Sequence, residues 1–427
     1  LALNALWTAK AAARPLPFME DAAVPLHRLA EYGARLEALL AHWGVAPLFY
    51  GQVGKGGLSM NPILNLGRAE DRARMRALAE GIAELVVEYG GVLTSGRGLG
   101  LSRSEALERK LGPRGMELLA QFKAYLDPSY LLNPGKILRA PPFDEPLMLR
   151  APREAAVPTD GSVLSWDAGG GTAFTGVHAC TGLSLCRTEE PPFACPSYAA
   201  TRDERESPRG RANSLRLALS GQLGDGALGS EDMLATMALC VSCKACRSSC
   251  PAGIDIAKLK VEVLAAARAR TAAPRAEQLY ARLPEYADAA RRWRALIQLR
   301  DLVPGLSRLS EAALGFAADR PLPRWSGRRL SLPRKAAVGP NGVVALFSDT
   351  FNRCFEPANL RAAASVLNAA GYGVIAFDDG EEGRALCCGR TYYDTGRVDE
   401  ARREAKRMAA AAASCAARNI PVIGLEP

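Results

Sequence analysis

Histidine is scarce in this sequence, and long apolar segments are absent from it. Only three histidines occur among 427 residues, so a centre built from several imidazoles has few candidates. No apolar run approaches the roughly 18–20 residues that are needed to cross a bilayer. The chain opens at Leu1 without an initiator methionine or the basic-then-apolar pattern of a signal peptide. We expect both ends to be truncated and the protein to be cytoplasmic.

Cysteine is missing from the first 179 residues, and the eleven cysteines that follow are clustered. They lie at positions 180, 186, 195, 240, 243, 246, 250, 354, 387, 388 and 415. Disulfide scaffolds are typical of small secreted proteins, whereas this chain is large. The pattern therefore favours metal ligation in a reducing compartment.

The net charge of +9 is concentrated in one stretch. Residues 266–335 hold 15 basic and 6 acidic side chains, and the rest of the chain is balanced. The stretch contains cationic and apolar side chains close together, namely Arg291, Arg292, Arg294 and Arg300 beside Trp293, Leu296, Ile297 and Leu299. This combination predicts docking on an anionic surface, either the inner face of a membrane or an acidic partner, with a solvated connector as the alternative. Nucleic-acid binding is not expected, because no recognition motif accompanies the charge.

The length and the residue patterns predict an α+β protein with several domains. The predicted parts are a mixed α/β region at 1–140, a linker at 141–175, a cysteine-cluster region at 176–265, a basic helical linker at 266–335 and an α/β region at 340–427. Strands are predicted at 48–50, 343–347, 374–377 and 422–423. Helices are predicted at 75–89, after Pro113, at 357–370 and at 397–418.

The strongest motif is Cys240-x2-Cys243-x2-Cys246-x3-Cys250, which Pro251 follows. Two-residue gaps let three thiolates converge on one iron–sulfur cluster, and the cysteine before the proline reaches a neighbouring cluster in two-cluster ferredoxins. Zinc also accepts thiolates with this spacing. Three such steps closed by Cys-Pro favour an iron–sulfur cluster over zinc.

A partner set of cysteines precedes this motif and is incomplete. Cys180 and Cys186 are separated by Leu183, where a third ligand would be expected, and Cys195 stands before a proline. By the exchange rule of two-cluster ferredoxins, Cys195 would complete a 4Fe-4S cluster on Cys240, Cys243 and Cys246. The second set would be Cys180, Cys186 and Cys250. With three thiolates, that second site could hold a 3Fe-4S cluster, a 4Fe-4S cluster with a foreign ligand, or nothing.

Cys387 and Cys388 form a vicinal pair before Gly389, with Cys354 earlier in the chain. The pair could be two buried small hydrophobic residues. It also resembles the Cys-Cys-Gly domain of heterodisulfide-reductase-like proteins, and Cys354, Cys387 and Cys388 are then a candidate third site. Cys415 lies in an alanine-rich helix, where a packing role is expected.

The first 140 residues resemble the C-terminal cap domain of vanillyl-alcohol-oxidase-type flavoproteins. The resemblance is carried by residues 18–25, 50–56, 90–96 and 131–136. It continues through 195–198, 201–203, 209–213, 349–351 and the Cys-Cys-Gly motif. The order is similar to that of fused FAD/iron–sulfur dehydrogenases of D-lactate, glycolate and D-2-hydroxyglutarate.

The resemblance implies a ferredoxin-like cap, an α-helical two-cluster ferredoxin domain and a C-terminally truncated α/β Cys-Cys-Gly domain. It also implies FAD, bound mostly by a preceding domain that is largely missing from this chain. Asn133 and Lys136 match the flavin side of the family's site, and Asn61 matches a substrate-side position. Electrons would pass from a 2-hydroxy acid or related carboxylate to the flavin, then through clusters to a quinone or a protein acceptor.

The cap departs from the family at its metal site. The family's loop usually carries two histidines and an aspartate, and this sequence has Gln52, Ser59 and Lys55 in their places. A second loop, which usually supplies a glutamate and a histidine, has Arg97 instead. We expect Lys55 and Arg97 to repel a divalent cation and to attract a substrate carboxylate. A general base is not identifiable among these residues, so the catalytic residue is unassigned.

Two functions remain open from the sequence. The chain is either part of an FAD- and iron–sulfur-dependent oxidoreductase with an altered substrate pocket, or an electron-transfer chain whose pocket is no longer catalytic.

Overall fold

The structure of the chain is a computed structural model, and its described residues fall into two compact units. It describes residues 14–66, 68–145, 162–166, 172–178, 180, 182, 184–188, 195–328, 330–378 and 385–425. The first unit takes its residues from Leu1–Leu228 and Ala235–Leu259, and the second from Gly229–Leu234 and Lys260–Pro427. Most of the predicted linker at 141–175 and position 183 lie outside the described residues.

The beginning of the first unit is a small antiparallel sheet covered by helices. The strands are β1 (Arg14–Pro15), β2 (Pro47–Gln52) and β3 (Gly57–Leu64), in the order β1-β3-β2. The helices are α1 (Leu29–His42), α2 (Ala69–Glu88) and α3 (Ser104–Leu126). The predicted strand at 48–50 and helix at 75–89 are confirmed. The helix predicted after Pro113 begins earlier, at Ser104, and is kinked at the non-helical Gly112.

The core of this sheet-and-helix layer consists of apolar residues that recur at helical and strand spacing. Its most buried members include Tyr32, Leu36, Met60, Met75, Leu78, Ile82 and Tyr89. Residues 20–24 pair with β3, because the N–H of Met60 donates to the carbonyl of Glu20 and that of Leu58 to Ala22. On the other side, Ala23 pairs with Val92. Residues 20–24 therefore join the β2–β3 hairpin to the loop that follows α2.

Six short or medium helices carry the cysteine-cluster region. They are α4 (Ala173–His178), α5 (Pro196–Thr201), α6 (Pro208–Leu219), α7 (Glu231–Ala238), α8 (Ala245–Ser249) and α9 (Ile256–Arg268). Proline starts α5 and α6, where its missing N–H has no helical acceptor to lose. The side chain of Ser207 caps α6 by accepting from the N–H of Gly210 at 2.9 Å. The start of α5 defines the position of Cys195, which lies directly before it.

The basic stretch is helical and broken by turns, as predicted. It contains α10 (Arg275–Ala281), α11 (Leu283–Ala290), α12 (Arg294–Leu302) and α13 (Leu306–Leu314). One of its predicted surface arginines is not on the surface. Arg300 is buried, and its guanidinium donates to backbone carbonyls of Ala317 and Arg320. Arg300 therefore holds the loop after α13 and is not a docking residue.

A parallel three-stranded sheet forms the end of the second unit. The strands β4 (Val343–Leu346), β5 (Gly373–Ala376) and β6 (Val422–Ile423) are ordered β5-β4-β6. The helices are α14 (Thr350–Cys354), α15 (Pro357–Ala369), α16 (Arg390–Tyr393) and α17 (Val398–Ala417). The predicted strands and both long helices are confirmed within one or two residues. Cys415 is buried in the core of this layer, as predicted.

The helix and sheet content agrees with the predicted mixed class, and the finer fold names stay predictions. Among the residues that the structure describes, no helix combines the length and the apolar character that crossing a membrane requires.

Candidate redox centre and carboxylate site

Two cavities of the first unit are lined by cysteines. The first cavity is lined by Cys180, Cys186, Cys246 and Cys250, with Pro208 and Arg209. The second is lined by Cys195, Cys240, Cys243 and Cys246, with Pro208 and Arg211. Cys246 and Pro208 border both cavities, and the assignment of the cysteines to two clusters stays a prediction. We refer to the cavities as the 180/186/250 cavity and the 195/240/243 cavity.

The loop that carries Cys240, Cys243 and Cys246 has a backbone that curls around the second cavity. Ser242 and Lys244, which flank Cys243, have positive φ values of 56° and 60°. Residues other than glycine adopt this left-handed conformation only at a cost. Two left-handed residues on either side of Cys243 turn the loop sharply, and Cys240, Cys243 and Cys246 all line the second cavity. This curl was not readable from the spacing alone.

Two arginines on α6 face the cavities, and the sequence argument gave them no role. Arg211 is buried and donates to the carbonyl of Glu206 at 2.7 Å, to the hydroxyl of Ser197 at 2.9 Å and to the Glu206 carboxylate. Arg209 donates to Glu204 at 2.7 Å and lines the 180/186/250 cavity. The motif at 209–213 was the available signal, because it places two arginines at a helix start directly after the cysteine segment, and a buried arginine needs a partner.

The cysteine thiols are held in a partly dehydrated environment. Burial raises the pKa of Cys186 and raises that of Cys246 to about 11. Burial disfavours the charged thiolate because water no longer stabilises it. An iron–sulfur cluster binds cysteine as the thiolate, and its iron ions would provide the stabilisation that water does not. A 4Fe-4S cluster binds each of its four thiolates through a different iron. The four sulfurs therefore surround a cavity and do not converge on a single ion. The cysteine-lined cavities fit that requirement.

The vicinal cysteines lie at the start of α16. Cys387 is buried and Cys388 is exposed, and the N–H of Gly389 donates to the Cys387 sulfur at 3.4 Å. A hydrogen bond from Cys387 lowers the pKa of Cys388 to about 6, although burial opposes it. The interaction with Cys388 raises the pKa of Cys387. Cys354 is fully buried in a separate apolar cluster with Leu283, Ala287 and Trp325.

The β2–β3 hairpin brings three of the predicted pocket residues to one face. Tyr50 is paired with Ser59, Leu48 with Asn61 and Gln52 with Gly57. Directly paired residues of antiparallel strands project from the same face, so Gln52, Ser59 and Asn61 share it. Lys55 lies in the exposed turn between the strands. The turn needs glycine at position 56, where φ is 68° and a Cβ would lie 2.1 Å from the carbonyl oxygen of Val24.

Asn61 is the most unusual of these residues. Its side chain is fully buried, and neither its amide oxygen nor its amide nitrogen has a hydrogen-bond partner among the described residues. Leaving a buried polar group unpaired costs on the order of 1–3 kcal/mol. Such a group is expected to be satisfied by a ligand or a partner domain, and Asn61 lies on the predicted substrate side.

Arg97 is not the isolated cation that the sequence predicted. Its guanidinium lies 3.1 Å from the carboxylate of Glu20, and the buried Arg103 bonds both Glu20 at 2.8 Å and Asp21 at 2.7 Å. Two carboxylates and two guanidiniums therefore form one network. The prediction of two uncompensated positive charges fails for Arg97, because residues 20–24 pair with β3 and bring the acidic dipeptide to the loop. About half of the Arg97 side chain remains exposed.

Asp21 organises the loop that carries Arg97. Its carboxylate accepts from the hydroxyl of Thr94 at 2.7 Å and from the N–H groups of Gly96 at 3.1 Å and Arg97 at 2.9 Å. Burial acts to raise the pKa of Asp21, but these hydrogen bonds and Arg103 outweigh it and hold the pKa below its usual value. Asp21 is thus ionised and engaged at neutral pH. In the part of the chain that the structure describes, no three His, Cys, Asp or Glu side chains are arranged to share one metal ion.

The two residues predicted on the flavin side contact each other. The ammonium group of Lys136 donates to the side-chain oxygen of Asn133 at 3.2 Å, in an exposed turn after α3. Asn133 has a φ of 48°, a left-handed conformation that asparagine tolerates better than most residues. The turn presents both side chains to solvent.

Comparison with family models matches two parts of the chain. Residues 2–137 match the C-terminal domain of FAD linked oxidases, and residues 179–255 match the 4Fe-4S dicluster domain. The chain therefore carries an FAD-linked oxidase C-terminal domain followed by a 4Fe-4S dicluster domain. The cofactors that these domains imply are FAD and iron–sulfur clusters.

Two curated relatives are similar over nearly the whole chain, and a third over a smaller part of it. A D-2-hydroxyglutarate dehydrogenase of Pseudomonas putida is 28% identical over 97% of this chain and 44% of its own length. One of Haemophilus influenzae is 26% identical over 100% of this chain and 45% of its own length. A D-lactate dehydrogenase of Archaeoglobus fulgidus is 34% identical over 28% of this chain and 26% of its own length. The chain spans less than half the length of the first two relatives.

Proposed function

We propose that this chain, with its FAD-linked oxidase C-terminal domain and its 4Fe-4S dicluster domain, is part of an oxidoreductase for a 2-hydroxy acid or related carboxylate. The observation that carries the proposal is the pair of cysteine-lined cavities in the compact unit that also contains the FAD-linked domain. When bound, FAD accepts two electrons from the acid, and the clusters pass them on singly. The final acceptor is a quinone or a protein.

The cluster ligands follow from the cavities. Cys195, Cys240, Cys243 and Cys246 would hold a 4Fe-4S cluster, because all four line one cavity. The second cluster would be held by Cys180, Cys186 and Cys250, the cysteines of the other cavity that remain once Cys246 is assigned to the first cluster. Cys246 borders both cavities, so the two clusters would be close neighbours. Close spacing favours electron transfer between them.

The hairpin face of the cap would bind the substrate. The amide nitrogen of Asn61 can donate to a hydroxyl or a carboxylate oxygen, and its amide oxygen can accept from a hydroxyl, once local opening uncovers this buried side chain. Gln52 and Ser59 share its face, and the exposed ammonium of Lys55 can attract an anion to the hairpin turn. Arg97 can bond a carboxylate with the exposed part of its guanidinium while Glu20 holds the side chain in place. Asn133 and Lys136 would contact the flavin from the turn after α3.

A divalent metal is not part of the proposed reaction. Gln52 and Ser59 are weak ligands beside imidazole or carboxylate. Glu20 and Asp21 are engaged in ion pairs with Arg97 and Arg103 and are not available to a cation. None of these residues is assigned as the base that removes the proton of the substrate hydroxyl.

The second candidate function is electron transfer without dehydrogenation by this pocket. The engagement of Glu20 and Asp21 in ion pairs favours it, because neither carboxylate is free to act as the base. Anaerobic bleaching of the flavin separates the two functions. If the complete FAD-loaded protein is an oxidoreductase, at least one acid among glycolate, D-lactate, D-malate and D-2-hydroxyglutarate bleaches its flavin. An electron-transfer chain gives no bleaching with any of them, although dithionite still reduces its clusters.

The basic stretch would dock on an anionic surface, as the sequence predicted. With Arg300 buried, the exposed cations of the stretch include Arg292, Arg294 and Arg308, which lie close in sequence to exposed Trp293 and Leu302. We favour the inner face of a membrane over an acidic protein, since aromatic and aliphatic side chains can enter the lipid while arginines bind headgroups. This would make the protein peripheral to the membrane.

A further inference from the structure

The second unit contains a cavity of about 830 Å³ that none of the proposed cluster ligands lines. It lies among α10 to α14, and aromatic and branched aliphatic side chains form most of its wall, with Tyr286, Ile297, Trp325, Phe351 and Phe355 among them. Cavities of roughly 300–1,000 Å³ with apolar walls and few polar groups are typical of small-molecule sites.

A network around Arg300 builds one wall of this cavity. The guanidinium of Arg300 donates to the hydroxyl of Ser310 at 3.1 Å and to the carbonyl of Ala317 at 2.6 Å. The neighbouring Asp301 accepts from the N–H of Leu322 at 2.8 Å. These bonds hold the loop after α13 against α12, and that loop places Phe316 and Leu322 on the wall. A buried arginine with satisfied donors indicates a formed wall and not a chance gap.

Two exposed leucines give the cavity an apolar edge toward solvent. Leu296 and Leu309 line the cavity, yet 63% of the surface of each is exposed. Arg294 and Arg308 are exposed on the same two helices. A lipophilic molecule can therefore enter between the two leucines.

The cavity also lies near the segment of the vicinal cysteines. Cys387 and Cys388 stand just before α16, and the hydroxyl of Thr391 on that helix donates to the carbonyl of Ala281 at 2.9 Å. The hydroxyl of Tyr392 donates to the carboxylate of Glu285 at 2.6 Å. Helix α16 therefore packs against α10 and α11, which line the cavity.

We propose that the cavity binds an isoprenoid quinone, with the ring among the aromatic side chains and the tail leaving between Leu296 and Leu309. This inference rests on the proposed function for its electrons. Oxidation of the hydroxy acid breaks one C–H and one O–H bond, and yields two electrons and two protons. The quinone takes up two electrons, delivered singly by the clusters, and two protons from water to become the quinol.

Binding of decylubiquinone to the full chain tests this site. Quenching of tryptophan fluorescence reports on binding, since Trp325 lines the cavity. We expect saturable quenching in the wild type and a reduced amplitude in Trp325→Phe. Ala290 lines the cavity and Ala289 does not, so Ala290→Phe should raise the dissociation constant at least tenfold and Ala289→Phe should leave it unchanged. Decanoate, which has a ten-carbon chain and no ring, should not displace the quinone.

A second pair of variants guards against misfolding of Ala290→Phe. Ala313 lines the cavity from an exposed position, and Ala312 precedes it on the same helix without lining the cavity. Ala313→Phe should weaken binding and Ala312→Phe should not. Unchanged affinity in Ala313→Phe, unsaturable quenching, or displacement by decanoate would overturn the proposal. The titration needs no hydroxy acid, so its failure is distinct from failure of flavin bleaching, which tests the proposed oxidoreductase.

Discussion

The guanidinium of Arg97 lies 3.1 Å from the carboxylate of Glu20. Glu20 in turn contacts Arg103 at 2.8 Å, so the charge of Arg97 is largely compensated within the protein. An arginine held in this way keeps its position while part of its guanidinium still faces solvent. That geometry suits a carboxylate ligand better than a mobile arginine would, because less side-chain freedom is lost on binding.

Chelators should not affect turnover by the complete FAD-loaded protein. We expect oxidation of D-lactate and D-2-hydroxyglutarate to be weak and equal with and without EDTA, because Gln52, Lys55 and Ser59 do not form a cation site. Steady-state reduction of a dye measures this. Brisk turnover that EDTA abolishes and zinc or manganese restores would mean that a metal acts in the cap after all.

Arg97→Met should weaken substrate binding about tenfold, since hydrogen bonds to a charged group contribute roughly 1.5–3 kcal/mol. The expected change is in KM of the best substrate from the bleaching panel, with a smaller change in kcat. Arg114→Met, at an exposed site in the same domain, is the control. Equal KM values for the two variants would remove Arg97 from the substrate site.

Asp21→Asn should loosen the loop at 90–97. The amide N–H groups of Gly96 and Arg97 donate to the Asp21 carboxylate, and breaking a buried charge pair costs about 3 kcal/mol. Hydrogen exchange at these amides should rise roughly a hundredfold. Glu37→Gln, at an exposed site on α1, should not change it.

The same carboxylate predicts a pH dependence. Its pKa is lower in the folded protein than the ordinary aspartate value of 3.8, so its stabilisation is fully present above that value. The stabilisation is lost as the pH falls from there through the folded pKa. Protection of the loop in the wild type should therefore fall below about pH 3.8 and should already be low at pH 6 in Asp21→Asn. Equal pH profiles for the two proteins would contradict the assignment.

Arg209→Gln should make the cluster of the 180/186/250 cavity harder to reduce. Arg209 lines that cavity, and removal of a nearby positive charge destabilises the more negative, reduced cluster. A redox titration followed by electron paramagnetic resonance should show a more negative potential for one cluster only. Arg202→Gln, in the turn after α5, provides the control. A shift of both potentials, or of neither, would count against this placement.

Sedimentation with liposomes tests docking of the basic stretch. We expect binding to vesicles that contain anionic lipid and loss of most binding in the triple variant Arg292→Gln, Arg294→Gln, Arg308→Gln, at roughly 1 kcal/mol for each cation. A triple variant of Arg403, Lys406 and Arg418 to Gln changes the net charge equally and should still bind. Binding that does not depend on lipid charge or salt would count against docking on an anionic surface, and no binding would favour the solvated connector.

The local elements were readable from the sequence, and the charge network was not. Periodicity fixed α2 and α17, and short β-branched runs fixed β4 and β5, because each of these signals lies within a few neighbouring residues. The pairing of residues 20–24 with β3 is a long-range contact. The partner of Arg97 could not be predicted because Glu20 is distant from it in sequence. The burial of Arg300 could not be predicted because it depends on a loop that has no periodic pattern.

The prediction of the cluster ligands rests on a different kind of signal, and it stays a prediction. The spacing of Cys240, Cys243 and Cys246 is a local signature, and the exchange rule supplied the fourth member, Cys195. For Arg209 and Arg211, which line the cavities, the sequence offered only the motif at 209–213 and no indication of their direction. Their direction depends on where Ser207 caps α6, which the structure reveals through its bond to Gly210.

Iron content and electron paramagnetic resonance of the anaerobically reconstituted chain test the central claim most directly. Two cysteine-lined cavities, one with four thiolates and one with a set of three, predict seven to eight irons per chain if the Cys-Cys-Gly site stays empty. The reduced protein should give a 4Fe-4S signal that disappears in Cys243→Ala and persists in Cys415→Ala, whose cysteine is buried in the core of the last domain. A colourless protein that binds only zinc, or a signal that survives Cys243→Ala, would contradict the account.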